Sequence, residues 1–128
     1  RLYLDAFEPS PVLDQPHLIV GVGALAAETE HEAARIGLPG RILRLGIRTN
    51  RRHPLLTPEA AAAHPDAQSA RSMASEQLIG SVERVVEGLR RLVERTHANE
   101  LMLTAATYDV DDKFRSLDLI NAAWAGCQ

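Results

Sequence analysis

Residues Asn99 to Ala123 read N-E-L-M-L-T-A-A-T-Y-D-V-D-D-K-F-R-S-L-D-L-I-N-A-A, and the fold class turns on them. Glu100 to Thr104 is a short apolar segment of strand length that runs into a polar loop. Beyond the loop, Val110, Phe114, Leu117, Ile120 and Trp124 recur at steps of four, three, three and four, which places them on one helical face. Asp111 or Asp112 is expected to cap that helix, because a carboxylate accepts the free N–H groups of a first turn and suits its positive end. The unit is a strand, a loop at its carboxyl end and a helix packed back on the sheet. Ligands of α/β proteins gather at such loops, which singles out Thr104 and Tyr108 by position.

Working back from this unit, Gln77-Leu-Ile-Gly80 is short, apolar and closed by glycine, and reads as a strand. Ser81 then caps a helix on which Val82, Val85, Val86, Leu89, Leu92 and Val93 keep helical spacing. His17 to Ala27, H-L-I-V-G-V-G-A-L-A-A, is small and apolar throughout. Its lack of polar alternation suits a strand buried on both faces, as in a parallel sheet. Thr29 and Glu32 have capping-box spacing, with the hydroxyl serving one N–H and the carboxylate another, and a helix over residues 30–36 is expected to end at Gly37-Leu-Pro-Gly40. Residues 41–76 read as an insertion of short helices and loops. Within it Thr57-Pro58-Glu59 is a helix start that His64-Pro65 stops, and residues 69–76 suggest a further turn or two. Pro9, Pro11 and Pro16 keep the N-terminal segment out of regular helix. The order is βα, insertion, βα, βα, which favours parallel strands.

The length of 128 residues suits one domain with a core rather than two. Hydrophobic residues at 45% and charged residues at 24% match a soluble globular protein. A net charge of −3 offers no electrostatic reason to expect nucleic acid or an anionic membrane as partner. No apolar run reaches membrane-spanning length, and the N-terminal residues lack the charged-then-apolar order of a secretory leader. The lone cysteine, Cys127, cannot form an internal disulfide, so a reducing, cytoplasmic setting is expected, and its place beside the last residue reads as a tail thiol. The chain starts at Arg1 without methionine and stops just past its last helix, so it is expected to be a segment of something longer.

Several motifs read more simply as structure than as chemistry. Gly21-Val-Gly23-Ala-Leu-Ala26 approaches a dinucleotide fingerprint, yet the helix start lies several residues late at Thr29, and no acid follows at the ribose distance; close packing of a buried strand accounts for the glycines better. Gly80-Ser81 at a helix start offers N–H groups to a phosphate, or is only a cap. The arginines Arg41, Arg44, Arg48, Arg51 and Arg52 read as a solvated face before an anion site. His17, His31, His53, His64 and His97 have no close metal-ligand spacing, and no metal is expected.

The same residues resemble a known family. The stretch A-N-E-L-M-L-T-A-A-T-Y-D…R-S-L-D-L-I resembles the C-terminal end of bacterial luciferase-like, flavin-dependent monooxygenases, which commonly close with A-D-E-L-M-V-T, a Tyr-Asp or His-Asp pair and R-S-Y-E-L-L. Phe7-Glu-Pro-Ser10 resembles the family's F-x-P-S, Gly21 to Ala33 its V-x-V-x-x-x-A-A-E-T-D-E-E-A, and Leu78 to Glu83 its V-G-S-P-E, with Val82 in place of proline and Asn99 in place of aspartate. The resemblance implies the C-terminal part of a TIM (β/α)8 barrel, about three βα units plus the insertion. It further implies reduced FMN or a deazaflavin, dioxygen and a small organic substrate in the whole protein. The post-strand positions Ala27, Glu28, Gly80, Thr104, Thr107 and Tyr108 would line the pocket, and Arg115 would help to place the final loop. No catalytic residue carries over, and the segment alone is expected to be inactive. Homo-oligomer formation is left open. A different reading is a non-catalytic module that pairs with another chain through its exposed sheet edge or apolar face.

Overall fold

The computed structural model describes residues 2–126; the reading of Cys127 falls outside them. A single turn of helix, α1 (Leu2–Asp5), and the proline-rich loop lead into β1 (Ile19–Ala27). Then come α2 (Glu30–Arg48), α3 (Pro58–Ala62), α4 (Ala67–Ser72), β2 (Leu78–Ser81), α5 (Val82–Thr96), β3 (Glu100–Thr104) and α6 (Val110–Ala125). Both pairings are parallel: β2 runs beside the carboxyl half of β1, Ala24 opposite Leu78, and β3 beside its amino half, Ile19 opposite Glu100. The strand order is β2-β1-β3.

Because β1 is apolar on both faces, both are covered. On one face Leu25 and Ala27 pack with Ala33 and Ile36 of α2. On the other, Ala24 and Ala26 meet Val85, Val86 and Leu89 of α5 and Ile120 of α6. Successive strands of a barrel would lie in chain order, with their helices on one side. Here β1 lies between its two successors with helices against both faces, and the described residues form a three-stranded parallel α/β sheet. Two features favour this order. The four-residue β2 spans only part of β1, and Asn99 locks the start of β3 to β1: its Oδ1 accepts the Leu18 N–H at 2.8 Å, while Leu18 C=O accepts the N–H groups of Asn99 and Glu100. An aspartate there would supply the same acceptor.

The expected stop at Gly37-Leu-Pro-Gly40 is wrong: α2 runs through it, 19 residues in all from Glu30 to Arg48. A glycine stop needs a positive φ, and among the described residues no glycine has one. These glycines serve close approach instead. A Cβ on Gly37 would lie 3.1 Å from Ile79, and one on Gly40 only 2.8 Å from the Ala106 carbonyl oxygen. Pro39 costs the helix a hydrogen bond, but its turn is buried, and Leu38 and Ile42 pack with Ala61, Ala67 and Ala70 of α3 and α4. The expected insertion therefore begins after Arg48 rather than at residue 41, and its second helix falls at Ala67–Ser72 rather than 69–76.

The arginines of this region divide by role. Arg41 donates to the carbonyls of Ala70, Arg71 and Met73 (2.9, 3.2 and 2.6 Å), clasping the end of α4 to α2, and Arg51 pairs with Asp66 at 3.3 Å. Among the described residues no helix is long and apolar enough to cross a membrane.

Candidate functional site

Three helix starts cluster near the carboxyl end of the sheet. Thr29 caps α2 by accepting the Glu32 N–H at 3.1 Å. The Glu32 carboxylate does not reach back to complete the capping box; it binds Arg35 at 2.8 Å, and Arg35 also meets Glu59 at 3.2 Å. Ser81 caps α5, accepting the Arg84 N–H. For α6 the cap is Asp109, which accepts the Asp111 N–H at 2.9 Å; Asp111 and Asp112 lie inside the first turn instead. The inward face of α6 keeps Ile120 and Trp124 of the expected set but not its first two members. Ser116 and Ile120 are buried, whereas Val110 and Phe114 are 57% and 58% exposed.

Two contacts hold α6 against the end of β1. Buried Ser116 accepts the Ala26 N–H at 2.8 Å, just where β3 has ended and no strand can receive it. One residue earlier, Arg115 grips Glu28 Oε1 through Nε and Nη2 at 3.1 and 2.5 Å. Glu28 is held below the ordinary carboxylate range chiefly by this hydrogen bond, and Arg115 is raised by it.

The third contact settles the reading of Gly80-Ser81. Glu30 Oε1 accepts the Ser81 N–H at 2.9 Å, and its other oxygen meets Arg84 at 3.0 Å. The N-terminus of α5 is therefore filled by a carboxylate of the chain itself. The Ser81 N–H is the main reason the Glu30 carboxyl titrates low. A Cβ on Gly80 would lie 2.8 Å from that carboxylate, which would have to shift.

The expected pocket residues do not converge on one cavity. Ala27 is core, packed under α2, and Gly80 is buried against Glu30. Thr104 borders a space of only about 10 Å3, room for a water at most. Thr107 donates to the Asp109 carbonyl at 2.7 Å and so fixes the loop. Tyr108 is 56% exposed. Glu28 and Arg115 are joined side chain to side chain. Nearby, Asp112 titrates high because it is partly buried and then because Asp109 is close, despite Arg35 and Arg115. Sequence reasoning missed Ser116 and Glu30, whose partners lie 90 and 51 residues away. Only the small polar residue on the buried side of α6 hinted at the first. The dinucleotide-like glycines lie within β1, well before α2 begins. No group of three or more potential metal ligands occurs among the described residues.

The fold and this end of the sheet define a parallel α/β protein whose strand-end loops are tied together by carboxylate–arginine pairs. No family model matches the chain. It is 30% identical to the uncharacterized protein YvbT of Bacillus subtilis (strain 168), over 97% of this chain and 38% of YvbT. With the uncharacterized protein YceB of the same strain the identity is 28%, over 92% of this chain and 37% of YceB. The chain thus spans less than two fifths of the curated relatives it matches. The crystal structure of apo-MsnO8 superposes with a TM-score of 0.84 at 28% identity, covering 96% of this chain and 39% of that one.

Proposed function

We propose that the chain is the C-terminal portion of a luciferase-like, flavin-dependent oxidoreductase that oxidises a small organic substrate with reduced flavin and dioxygen. The observation that carries this reading is the meeting of two separately recognised motifs. The A-A-E-T segment after β1 and the R-S pair of α6 interlock through Glu28–Arg115 and Ala26–Ser116. Residues picked out by resemblance in two distant stretches thus form one joint. The share of the relatives covered by the chain is in keeping with a C-terminal third of such a protein.

The described residues do not fit the phosphate of a flavin nucleotide. The Ser81 N–H is taken by Glu30, and the nearby arginines Arg35, Arg84 and Arg115 are each paired with a glutamate. In this reading the chain supplies wall and joint, while phosphate binding and the reacting groups belong to other parts of the whole protein. A (β/α)8 barrel is the finer form of the proposal, and it carries a structural demand: strands outside this chain must close the sheet into a ring. A structure of a longer reading frame whose sheet stays open would overturn the barrel and leave the chemistry open.

The test is oxygen consumption by the product of the complete reading frame, supplied with reduced FMN or a reduced deazaflavin. Consumption with either supports the proposal; none with both refutes it. Titration of the chain alone with FMN is expected to show no tight binding, and stoichiometric binding would contradict the phosphate argument.

A further inference from the structure

One face of the sheet is covered from its carboxyl end only as far as Gly23. Side chains alternate along a strand, so Ile19, Gly21, Gly23, Leu25 and Ala27 share this face of β1. The parallel register sets Met102 beside Gly21 and Thr104 beside Gly23. Leu25 and Ala27 lie under α2. Gln77 lies over Gly23, where an added Cβ would come within 2.8 Å of its side chain. There the cover stops. A Cβ on Gly21 would meet nothing within 4 Å, and Ile19 and Met102 are each more than half exposed. Glu100, the charged neighbour of Ile19 on this face, is engaged by His17 at 2.7 Å. On the opposite face Val22, Leu101 and Leu103 of the same two strands pack into the core with α5 and α6.

An apolar stretch without cover is out of keeping with a parallel sheet, whose two faces are almost always both buried. We propose that the bare spot at Gly21, between Ile19 and Met102, is a socket filled by a large apolar side chain from another part of the same, longer protein. The chain matches 38% of YvbT and 39% of the MsnO8 chain, so a protein of that size has ample further sequence to supply it. Gly21 makes the socket, because a side chain there would take up the space itself, and glycine within a strand marks the close approach of another group. The flanks are apolar, so the fit is to leucine, isoleucine or phenylalanine; a charge seated beside Ile19 and Met102 would be buried without a partner. A second copy is a poor occupant, since three residues are a small part of the roughly 20–30 a side that a stable dimer buries. The inference rests on the reading of the chain as one wall of a longer protein, and it needs no flavin chemistry.

The test uses the product of the complete reading frame. Met102→Cys is treated with a maleimide in the native state and in urea, and labelling at residue 102 is read by mass spectrometry of its peptide. Native labelling is expected to be at least about 100-fold slower than labelling of the unfolded chain, at every protein concentration and without added flavin. A benzophenone amino acid in place of Met102 is expected to crosslink, within one polypeptide, to a segment outside these 128 residues. If Met102→Cys does not fold, Ile19→Cys reports on the other side of the same socket. Native labelling within about tenfold of the unfolded rate would overturn the proposal. So would protection that appears only at high concentration, which marks a second copy, or only with added FMN, which marks a ligand. Crosslinks confined to residues 1–128, or joining two copies, would overturn it as well. These readouts need no turnover, so loss of the socket and loss of the flavin chemistry are told apart.

Discussion

Replacing Ser116 with alanine removes one oxygen from the centre of the molecule and is expected to cost far more than its size suggests. Ser116 and Ala26 are each 1% exposed, and the hydroxyl accepts the Ala26 N–H at 2.8 Å. Without it the N–H has no strand beside it, because β3 ended opposite Gly23, and water cannot readily reach it. A buried donor left unsatisfied costs about 1–3 kcal/mol. With a urea dependence of about 2 kcal/mol per molar for a domain of this size, the unfolding midpoint should fall by about 1 M. Ser72→Ala is the control: its hydroxyl donates to Gln68 C=O on the surface, and its loss should stay within about 0.5 kcal/mol. Amide hydrogen exchange reads the same event locally, and the Ala26 amide should lose protection more than the amides of Ala24 and Leu25. A Ser116→Ala midpoint matching that of Ser72→Ala, with Ala26 still protected, would refute this account of how α6 is held.

Other consequences are testable in the same material. Gly40→Ala should destabilise by about 1–3 kcal/mol despite better helix propensity, because its Cβ meets the Ala106 backbone; Gly21→Ala, in open space, should be neutral or gain about 0.5 kcal/mol, both by thermal melting. Arg41→Ala removes three hydrogen bonds from a charged donor and should loosen α4 by about 2 kcal/mol, seen as faster proteolysis between α2 and β2. Glu28, Glu30 and Glu32 have lowered folded-state pKa values, so their stabilisation is present above the ordinary glutamate range and is lost as the pH falls through their folded values. Asp112, raised by burial, acts oppositely: its contribution is present in acid and is lost as the pH rises through its folded value. Melts across the acid range should therefore show a fall that Arg115→Ala makes shallower, and Asp112→Asn should stabilise the protein at neutral pH while changing little in acid.

Local chemistry made much of this fold legible. An unbroken small-apolar run suits a strand buried on both sides, and the carboxyl half of β1, Ala24 to Ala27, is one, while Ile19 and Gly21 are exposed. Glu100 to Thr104, the Ser81 cap and the valine face of α5 were equally local and equally clear. What failed was non-local. Gly37 and Gly40 have the composition of a helix stop, and only contact with Ile79 and Ala106 makes them helical. Asp109 was passed over as the cap of α6 because three acidic residues crowd one turn. The periodic face of α6 included Val110 and Phe114, but only Ser116 meets the unpaired Ala26 N–H, so the helix turns that side inward. At the candidate site, the individual positions were visible, but Glu30 filling the start of α5 was not, since nothing near Ser81 in sequence announces it.

The central place of β1 also governs the order in which the molecule can be built. Neither of its neighbours lies near it along the chain: Ala24 meets Leu78 of β2 across 54 residues (78 − 24), and Leu18 meets Asn99 beside β3 across 81. Loop closure on this scale is slow, and a sheet with no hairpin has no local pair to nucleate it. On a ribosome β1 would emerge well before β2 and β3 and wait without either neighbour until they had been made. Its glycines and alanines are then a safeguard as well as a packing surface, since small side chains give a waiting strand little with which to stick to its neighbours.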